Sequence, residues 1–254
     1  MHFTSLNSAN ISFDRPSSIG CLFFHGFTST PEEFRELAQY LADEQISVEI
    51  PLLPGHGKTP AELSQTKWTD WVDCAREAYF NLRKNCQQLF VGGQSMGGTL
   101  ALHLASHYPV NGILAYAAPI EFHHSLLRFI PLLKRFIRYY PKSQGNDVAD
   151  EAAKSRLPAY QVYPLPAISE FQKLIKHTFF DVTEITAPIL LMHSRQDHTI
   201  PLSSSELILG RVRSTEKKLV RLEKSYHLLT VDYEKEIVRR ETLQFIRRFA
   251  HLDH

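Results

Sequence analysis

The sequence predicts an α/β domain with a mostly parallel sheet flanked by helices. Short apolar runs alternate with longer amphipathic segments, a pattern typical of parallel strands joined by crossover helices. The chain has 254 residues, a length that one such domain can fill. Its composition, with 43% hydrophobic and 22% charged residues, is that of an ordinary globular protein. We therefore expect one domain spanning residues 1–254.

The individual elements can be placed in chain order. A buried strand is predicted at 20–24. The helix predicted at 31–42 has Thr30 as N-cap, Pro31 at its first position, and Glu32 and Glu33 favourably placed in its first turn. Apolar residues spaced by three and four predict another helix at 68–82. Further strands are predicted at 48–50, 88–92, 112–117, 189–193 and 218–222, and further helices at 96–106 and 235–249.

The alternation of strands and helices stops between residues 119 and 180. Two proline-containing patches, Leu157-Pro158 and residues 163–166, interrupt helical pieces there, and Pro131 is expected to split a helix. We interpret residues 119–180 as a cap, or lid, inserted over the sheet.

Charge and composition argue against several classes of protein. The formal charge of +1, from 28 basic and 27 acidic residues, creates no field that would gather nucleic acid. The first residues show no basic stretch followed by an apolar run, and no apolar run approaches the roughly 20 residues of a membrane span. We therefore expect a cytoplasmic protein. The three cysteines lack C-x-x-C spacing, so neither a disulfide framework nor a metal site is predicted.

A nucleophile is indicated by Gly93-Gln94-Ser95-Met96-Gly97, a G-x-S-x-G pattern between a predicted strand and a predicted helix. A serine on such a sharp turn has a strained backbone, and the flanking glycines leave room for it. The alternative is a tightly packed turn or a phosphate cradle, but G-x-G-x-x-G and the P-loop lysine are both absent. Ser95 is the predicted nucleophile. Gln94 is expected to point away from it and to matter little.

A serine nucleophile needs a histidine base, and the histidine needs a carboxylate that fixes its tautomer. Among 13 histidines, His227 follows the last predicted strand, where the order serine, acid, histidine places the base. Asp197 follows the strand predicted at 189–193 and is the predicted acid, with a turn or cap role as the alternative. Asp181 is its main rival, whereas Asp232 lies too close behind His227 to reach back easily.

Other residues near these positions have supporting interpretations. His193 and His198 flank the predicted acid and are interpreted as loop or packing histidines. A tetrahedral intermediate also needs two backbone donors, one after the nucleophile and one in the loop after an earlier strand. The N–H groups of Met96 and Phe27 are predicted to form this oxyanion hole, although His25-Gly26 could also be an ordinary turn.

Taken together, these segments resemble a known family. They resemble segments of bacterial carboxylesterases and monoacylglycerol lipases of the α/β-hydrolase superfamily, and the resemblance covers residues 20–249. The segments that carry it are His25-Gly26-Phe27-Thr28, Pro54-Gly55-His56-Gly57, Gly93-Gln94-Ser95-Met96-Gly97-Gly98, Asp197-His198 and Ser225-Tyr226-His227. It implies an eight-stranded sheet with a small cap, a triad of Ser95, Asp197 and His227, and cleavage of carboxylic esters without a cofactor. It also implies that His56 supports the site rather than reacting.

The cap sequence suggests a substrate with an acyl chain. Residues 125–140 are rich in apolar side chains. Basic residues spaced by four lie within and just after this stretch: Lys134, Arg138 and Lys142. Phe129, Leu133 and Ile137 are predicted to line an acyl-chain pocket, while the basic face contacts water or, transiently, an anionic membrane surface. The alternative is that the apolar face only packs on the main domain. A medium-chain ester or a monoacylglycerol is the expected substrate.

Two other functions stay open on the sequence alone. Thioesters or C–C bonds are cleaved by the same triad in a different pocket. A hydrolase fold can also act as a ligand-binding or interaction protein with little turnover, although an intact triad argues against this. No pattern in the sequence indicates an oligomeric state.

Overall fold

The structure is a computed structural model that describes residues 8–121, 129–142 and 145–250. The strands of its main sheet are β1 Ile11–Phe13, β2 Ile19–Phe24, β3 Ser47–Ile50, β4 Gln88–Gln94, β5 Gly112–Tyr116, β8 Ile189–Ser194 and β9 Lys217–Leu222. Two further strands, β6 Tyr139–Pro141 and β7 Val162–Pro164, form a separate antiparallel pair. The strand order in the main sheet is β1-β3-β2-β4-β5-β8-β9.

The main sheet is parallel except for β1, which runs antiparallel to β3. Every predicted strand is present, and the predicted α/β-hydrolase fold class is confirmed. The strand count differs, since the described residues contribute seven strands to this sheet and the resemblance implies eight.

Helices cover both faces of the sheet. A short 3-10 turn, Pro31–Phe34, precedes the first of them and is capped by the Thr30 hydroxyl, which accepts from the Glu32 N–H. The α-helices are α1 Arg35–Asp43, α2 Pro60–Leu63, α3 Trp68–Arg83, α4 Met96–His107, α5 Ile130–Leu133, α6 Glu151–Arg156, α7 Leu165–Asp181, α8 Ser203–Arg211 and α9 Lys235–Phe249.

Alternation along the central strands divides the core into two layers. In β2, Leu22 and Phe24 face a layer covered by α3, α4 and α7, whereas Cys21 and Phe23 face a layer covered by α1 and α9. Because the parallel strands all end at one edge, the loops after β2, β4, β8 and β9 converge there. Phe27, Ser95, Asp197 and His227 lie in these loops.

Residues 119–180, the predicted cap, contain α5, β6, α6, β7 and α7. Residues 122–128, which include the start of the predicted basic amphipathic stretch, lie outside the described residues. In the rest of that stretch the helical part is the four-residue α5, and Pro131 lies in its first turn, as expected for a split helix. The longer α7 packs against α4. Over the described residues, no helix has the length and apolarity needed to cross a bilayer.

Candidate active site

Ser95 lies between β4 and α4 with a backbone conformation that a side chain rarely adopts, φ 55° and ψ −120°. Such strain persists only where neighbouring contacts hold it. The Ser95 N–H donates to the Tyr116 carbonyl at 2.8 Å, and its carbonyl accepts from the Thr99 N–H at 3.1 Å. The residue as a whole is 8% exposed. The strained strand-to-helix turn is the backbone geometry expected at a serine nucleophile of this kind.

The glycines beside Ser95 are required by close packing. A Cβ on Gly97 would lie 1.8 Å from the Phe24 carbonyl oxygen, and one on Gly93 would lie 2.3 Å from the Gly97 carbonyl carbon. Neither contact is physically possible without moving backbone atoms. The turn therefore fits directly against the end of β2, as the sequence pattern predicts.

Asp197 and His227 lie in contact, although 30 residues separate them in sequence. Nδ1 of His227 is 2.8 Å from Oδ2 of Asp197. Since the carboxylate can only accept, Nδ1 carries the hydrogen and Nε2 keeps a lone pair. The other carboxylate oxygen of Asp197 accepts from the N–H groups of Thr199 at 2.8 Å and Ile200 at 2.7 Å, which fixes its orientation.

Asp197 and His227 also shift each other's pKa. Burial raises the pKa of Asp197, but the charge and hydrogen bonds of His227 and His193 outweigh it and hold the pKa well below its usual range. Burial lowers the pKa of His227, but Asp197, aided by Asp147 and Glu33, outweighs it and leaves the pKa raised. Asp197 is therefore ionised at neutral pH, and His227 is a stronger base than an isolated histidine.

His193 contributes to this pair in a way that its sequence position does not reveal. Its side chain is completely buried, and Nε2 lies 3.2 Å from Oδ2 of Asp197. Nδ1 lies 2.7 Å from the Ser205 hydroxyl. His198 is more exposed and instead contacts Asp147, Nδ1 to Oδ1 at 2.9 Å. The packing interpretation holds for His193, but one of its contacts is with the predicted acid itself.

The two rival carboxylates lie elsewhere. Asp181 contacts His103, Nδ1 to Oδ2 at 2.9 Å. Asp232 is fully buried, and its oxygens accept from four backbone N–H groups at 2.8–2.9 Å, those of Ala149, Asp150, Tyr226 and Tyr233. Asp232 thus joins the loop of His227 to residues 149–150 and takes no part in the histidine pair.

The loop after β2 is organised by a buried carboxyl group, Glu33. Its side chain accepts from the Gly26 N–H at 2.7 Å and from the Ser29 hydroxyl at 2.6 Å. Burial raises the pKa of Glu33 to about 7. The sequence placed both Glu33 and Glu32 in a helical first turn, where acidic residues are common. Only Glu32 has the surface role expected there, since it forms an ion pair with Arg35 at 2.6 Å.

The two predicted oxyanion donors belong to different elements. Met96 is the first residue of α4, and Phe27 lies in the loop held by Glu33. Within the described parts of the chain, neither backbone N–H donates to a protein acceptor. Nearby, His25 and His56 are buried and have lowered pKa values, about 4 for His25, because burial disfavours their charged forms. Neutral His25 links the loop to the Leu53 N–H, which donates to its Nε2 at 3.1 Å.

Comparison with known proteins places these features in a family. The family described as serine aminopeptidase, S33, matches residues 18–234. A thermostable monoacylglycerol lipase of Bacillus sp. (strain H-257) is 32% identical over 96% of this chain and 97% of its own, and a carboxylesterase of Bacillus subtilis (strain 168) is 27% identical over 89% and 92%.

This chain belongs to the serine aminopeptidase S33 family. The resemblance to bacterial carboxylesterases and monoacylglycerol lipases is thereby confirmed. A solved structure from a study of two metagenome-derived lipolytic enzymes, LipS and LipT, is 33% identical and superposes with a TM-score of 0.91, covering 96% of this chain and 99% of that one.

In this S33 chain, Gln94 corrects the sequence interpretation. It was expected to matter little, yet its buried carboxamide bonds the loop of His227 on both sides. Nε2 donates to the His227 carbonyl at 2.8 Å, and Oε1 accepts from the Leu229 N–H at 3.2 Å. The side chain next to the predicted nucleophile therefore holds the loop of the predicted base. No local sequence pattern reveals a contact across 133 residues.

The apolar residues of the predicted cap lie at the surface of this S33 chain. Phe129, Leu133 and Ile137 are 44%, 40% and 45% exposed. Their neighbour Ile130 is buried, and α5 packs on α7. The segment around α5 is thus anchored through Ile130 and presents apolar side chains on its surface.

Proposed function

We propose that this protein hydrolyses carboxylic esters through an acyl-enzyme on Ser95. The observation that carries this is the 2.8 Å contact between His227 Nδ1 and Asp197. It leaves His227 Nε2 free to act as a base and raises the pKa of His227. The loop of His227 is also bonded to Gln94, the residue before Ser95. The class of reaction agrees with the names of the relatives, a monoacylglycerol lipase and a carboxylesterase.

The proposed steps conserve atoms and charge. The Ser95 oxygen attacks the ester carbonyl carbon while His227 Nε2 takes its proton, and Asp197 stabilises the imidazolium that forms. His227 then gives the proton to the departing alcohol as the C–O bond breaks. Water attacks the acyl-enzyme while His227 takes its proton, and His227 then returns the proton to the Ser95 oxygen as the acyl C–O bond breaks, which releases the acid. The backbone N–H groups of Phe27 and Met96 stabilise the oxyanion in both tetrahedral intermediates.

The proposed substrate is a medium-chain ester or a monoacylglycerol. Residues 119–180 would act as a cap whose apolar residues Phe129, Leu133 and Ile137 guide an acyl chain toward Ser95. Support comes from their partial exposure, since side chains 40–45% exposed gain free energy when an acyl chain covers them. The lipolytic relatives are consistent with such a substrate.

We further propose that this apolar surface contacts lipid transiently. Leu132, Phe136 and Tyr140 are 56%, 82% and 60% exposed and extend the surface formed by the three predicted acyl-chain residues. Of the predicted basic face, Arg138 is exposed, whereas Lys134 and Lys142 are partly buried and donate to Ser169 and Asn146. The exposed Arg135 joins Arg138 on the surface, and both suit an anionic interface. No nucleic-acid partner is part of the proposal, and the cytoplasmic location stays a prediction that cell fractionation would test.

A fluorophosphonate probe followed by peptide mass spectrometry tests the nucleophile. We expect an adduct on Ser95 in the folded protein and none in Ser95→Ala. Hydrolysis rates on p-nitrophenyl esters of increasing acyl length, on monoacylglycerols, on acyl thioesters and on aminoacyl p-nitroanilides then test the substrate class. Labelling of another residue would refute the mechanism, and a higher kcat/KM on thioesters or anilides would refute the ester assignment.

A further inference from the structure

A group of metal-ligating side chains lies away from the site described above, where α4 and α7 both end. His103 and His107 are four residues apart on α4, which places them on one face of the helix. Asp181 is the last residue of α7. One ligand atom from each of these three side chains lies within 4.8 Å of the others.

Hydrogen bonds already orient the two histidines. Nδ1 of His107 lies 2.8 Å from the His103 carbonyl oxygen, which can only accept. Nδ1 therefore carries the hydrogen, and Nε2 of His107 keeps its lone pair for a ligand bond. Nδ1 of His103 lies 2.9 Å from Oδ2 of Asp181. The contact of His107 with a carbonyl is typical of histidines that bind metals, whereas Nδ1 of His103 and Oδ2 of Asp181 are already close enough for one ion to lie between them.

The electrostatic setting also favours a cation. The C-terminal end of a helix carries a partial negative charge, and here the C-terminal ends of α4 and α7 meet. Asp181 adds a full negative charge. The His107 side chain is exposed, whereas His103 is buried, so an ion has access from solvent to a partly preformed site.

We propose that His103, His107 and Asp181 bind a divalent transition-metal ion of the zinc type. Two imidazoles and one carboxylate, with water in the fourth position, are a donor set that zinc accepts at about 2.0–2.2 Å per bond. The ligand atoms, which lie within 4.8 Å of one another, would have to move closer around the ion, and the exposed His107 side chain can supply that movement.

Such an ion would have a structural role. His103 is eight residues from Ser95 on the same helix, about 12 Å along its axis, too far for contact with a reacting ester. The ion would instead join α4, which begins at the proposed nucleophile, to α7 of the proposed cap. The expected consequence is a higher unfolding temperature, with activity on a short soluble ester little changed.

Thermal unfolding of the full chain, with and without zinc chloride in a non-chelating buffer, tests this site. Saturating zinc is expected to raise Tm by about 5 °C or more. His107→Ala should abolish this rise while keeping its metal-free Tm, because the replaced side chain is exposed. Asp181→Asn, which keeps an acceptor for His103 but loses the charge, should also abolish it. Cobalt(II) titration should give the visible absorption of a four-coordinate ion in the unaltered chain only.

The control is His251→Ala/His254→Ala, which removes two imidazoles from elsewhere in the sequence and should keep the full rise in Tm. Every catalytic candidate is present in His107→Ala, so zinc bound at His227 would raise Tm equally in both proteins. An equal rise in His107→Ala, or no rise in the unaltered chain at 100 μM zinc, would overturn the proposal. Loss of the rise in the double variant would do the same.

Discussion

The loops that carry Ser95, Asp197 and His227 differ sharply from residues 129–142. The side chains of Asp197 and His227 are 1% and 7% exposed, and fixed backbone donors or acceptors hold both loops. In residues 129–142, by contrast, six large apolar side chains are 40–82% exposed: Phe129, Leu132, Leu133, Phe136, Ile137 and Tyr140. One region is organised before any ligand arrives, and the other offers surface that only a ligand or interface would cover.

Asp147 marks the boundary between these two regions. Its backbone carbonyl accepts from the N–H groups of His227 at 3.1 Å and Leu228 at 3.2 Å. Its carboxylate accepts from His198, Nδ1 to Oδ1 at 2.9 Å, and from the Thr199 hydroxyl at 3.0 Å. The segment that follows the exposed surface is therefore bonded to the loops of both the proposed acid and the proposed base. The transition from exposed apolar surface to bonded site loops therefore occurs within a few residues of the chain.

The largest expected effect comes from removing the charge that orients His227. Asp197→Asn should lower kcat on p-nitrophenyl butyrate about 10⁴-fold, because an amide no longer fixes the productive tautomer or stabilises the imidazolium. The matched control is Asp232→Asn, which alters a carboxylate that accepts from four backbone N–H groups among the described residues. It should lower Tm while keeping kcat within about tenfold. If the two variants lose equal activity, Asp197 has no special role.

Glu33 gives the organised region a dependence on pH. Its folded pKa of about 7 lies above the ordinary 4.5. Its contribution to stability is therefore fully present below pH 4.5 and lost as the pH rises through 7, a change of up to about 3 kcal/mol. The raised pKa of His227 acts in the same direction at higher pH. We expect Tm to fall from pH 5 to pH 7.5, and Glu33→Gln to remove most of that fall. An unchanged slope in Glu33→Gln would contradict this.

Substitutions of Gln94 test whether its hydrogen bonds to the loop of His227 are needed for activity. Gln94→Leu leaves the His227 carbonyl and the Leu229 N–H without their partner, and a loop displaced by a fraction of an ångström should lower kcat about 10- to 100-fold. KM for a short soluble ester should change less than threefold. Gln94→Glu keeps the acceptor but loses the donor, so an intermediate kcat is expected. A lower Tm with unchanged kcat would show that Gln94 acts on stability alone.

The comparison also explains which features the sequence could predict. The turn at Ser95 depends on residues that are neighbours in sequence, so the G-x-S-x-G pattern and the strand before it were sufficient. The positions of Asp197 and His227 followed from the order of strands, since loops at one edge of a parallel sheet must converge.

What the sequence did not reveal depends on contacts between distant or ambiguous positions. In the sequence Glu33 resembled an ordinary acidic residue of a helical first turn. Its role in organising the loop after β2 depends on its burial against Gly26. Gln94 meets His227 across 133 residues, and His193 meets Asp197 inside the core, where periodicity describes burial but no partner. In the proposed cap, α5 is short and has Pro131 in its first turn, but α7 has 17 residues, and no pattern indicated which apolar side chains would remain exposed.

The smallest expected effects fall on the exposed surface. Phe136→Ser should change kcat on a short soluble ester less than twofold and the free energy of unfolding by less than about 0.5 kcal/mol, because the ring is 82% exposed. On monoacylglycerol in anionic vesicles the rate at low lipid should fall about threefold, since one ring no longer enters the interface. The control is Phe80→Ser, which removes a ring 49% exposed on α3 that contacts Tyr79 and Tyr108, and it should leave the vesicle rate unchanged. If both variants lose the same vesicle activity, lipid contact is not specific to the cap surface, and its exposed side chains would then serve the acyl chain alone.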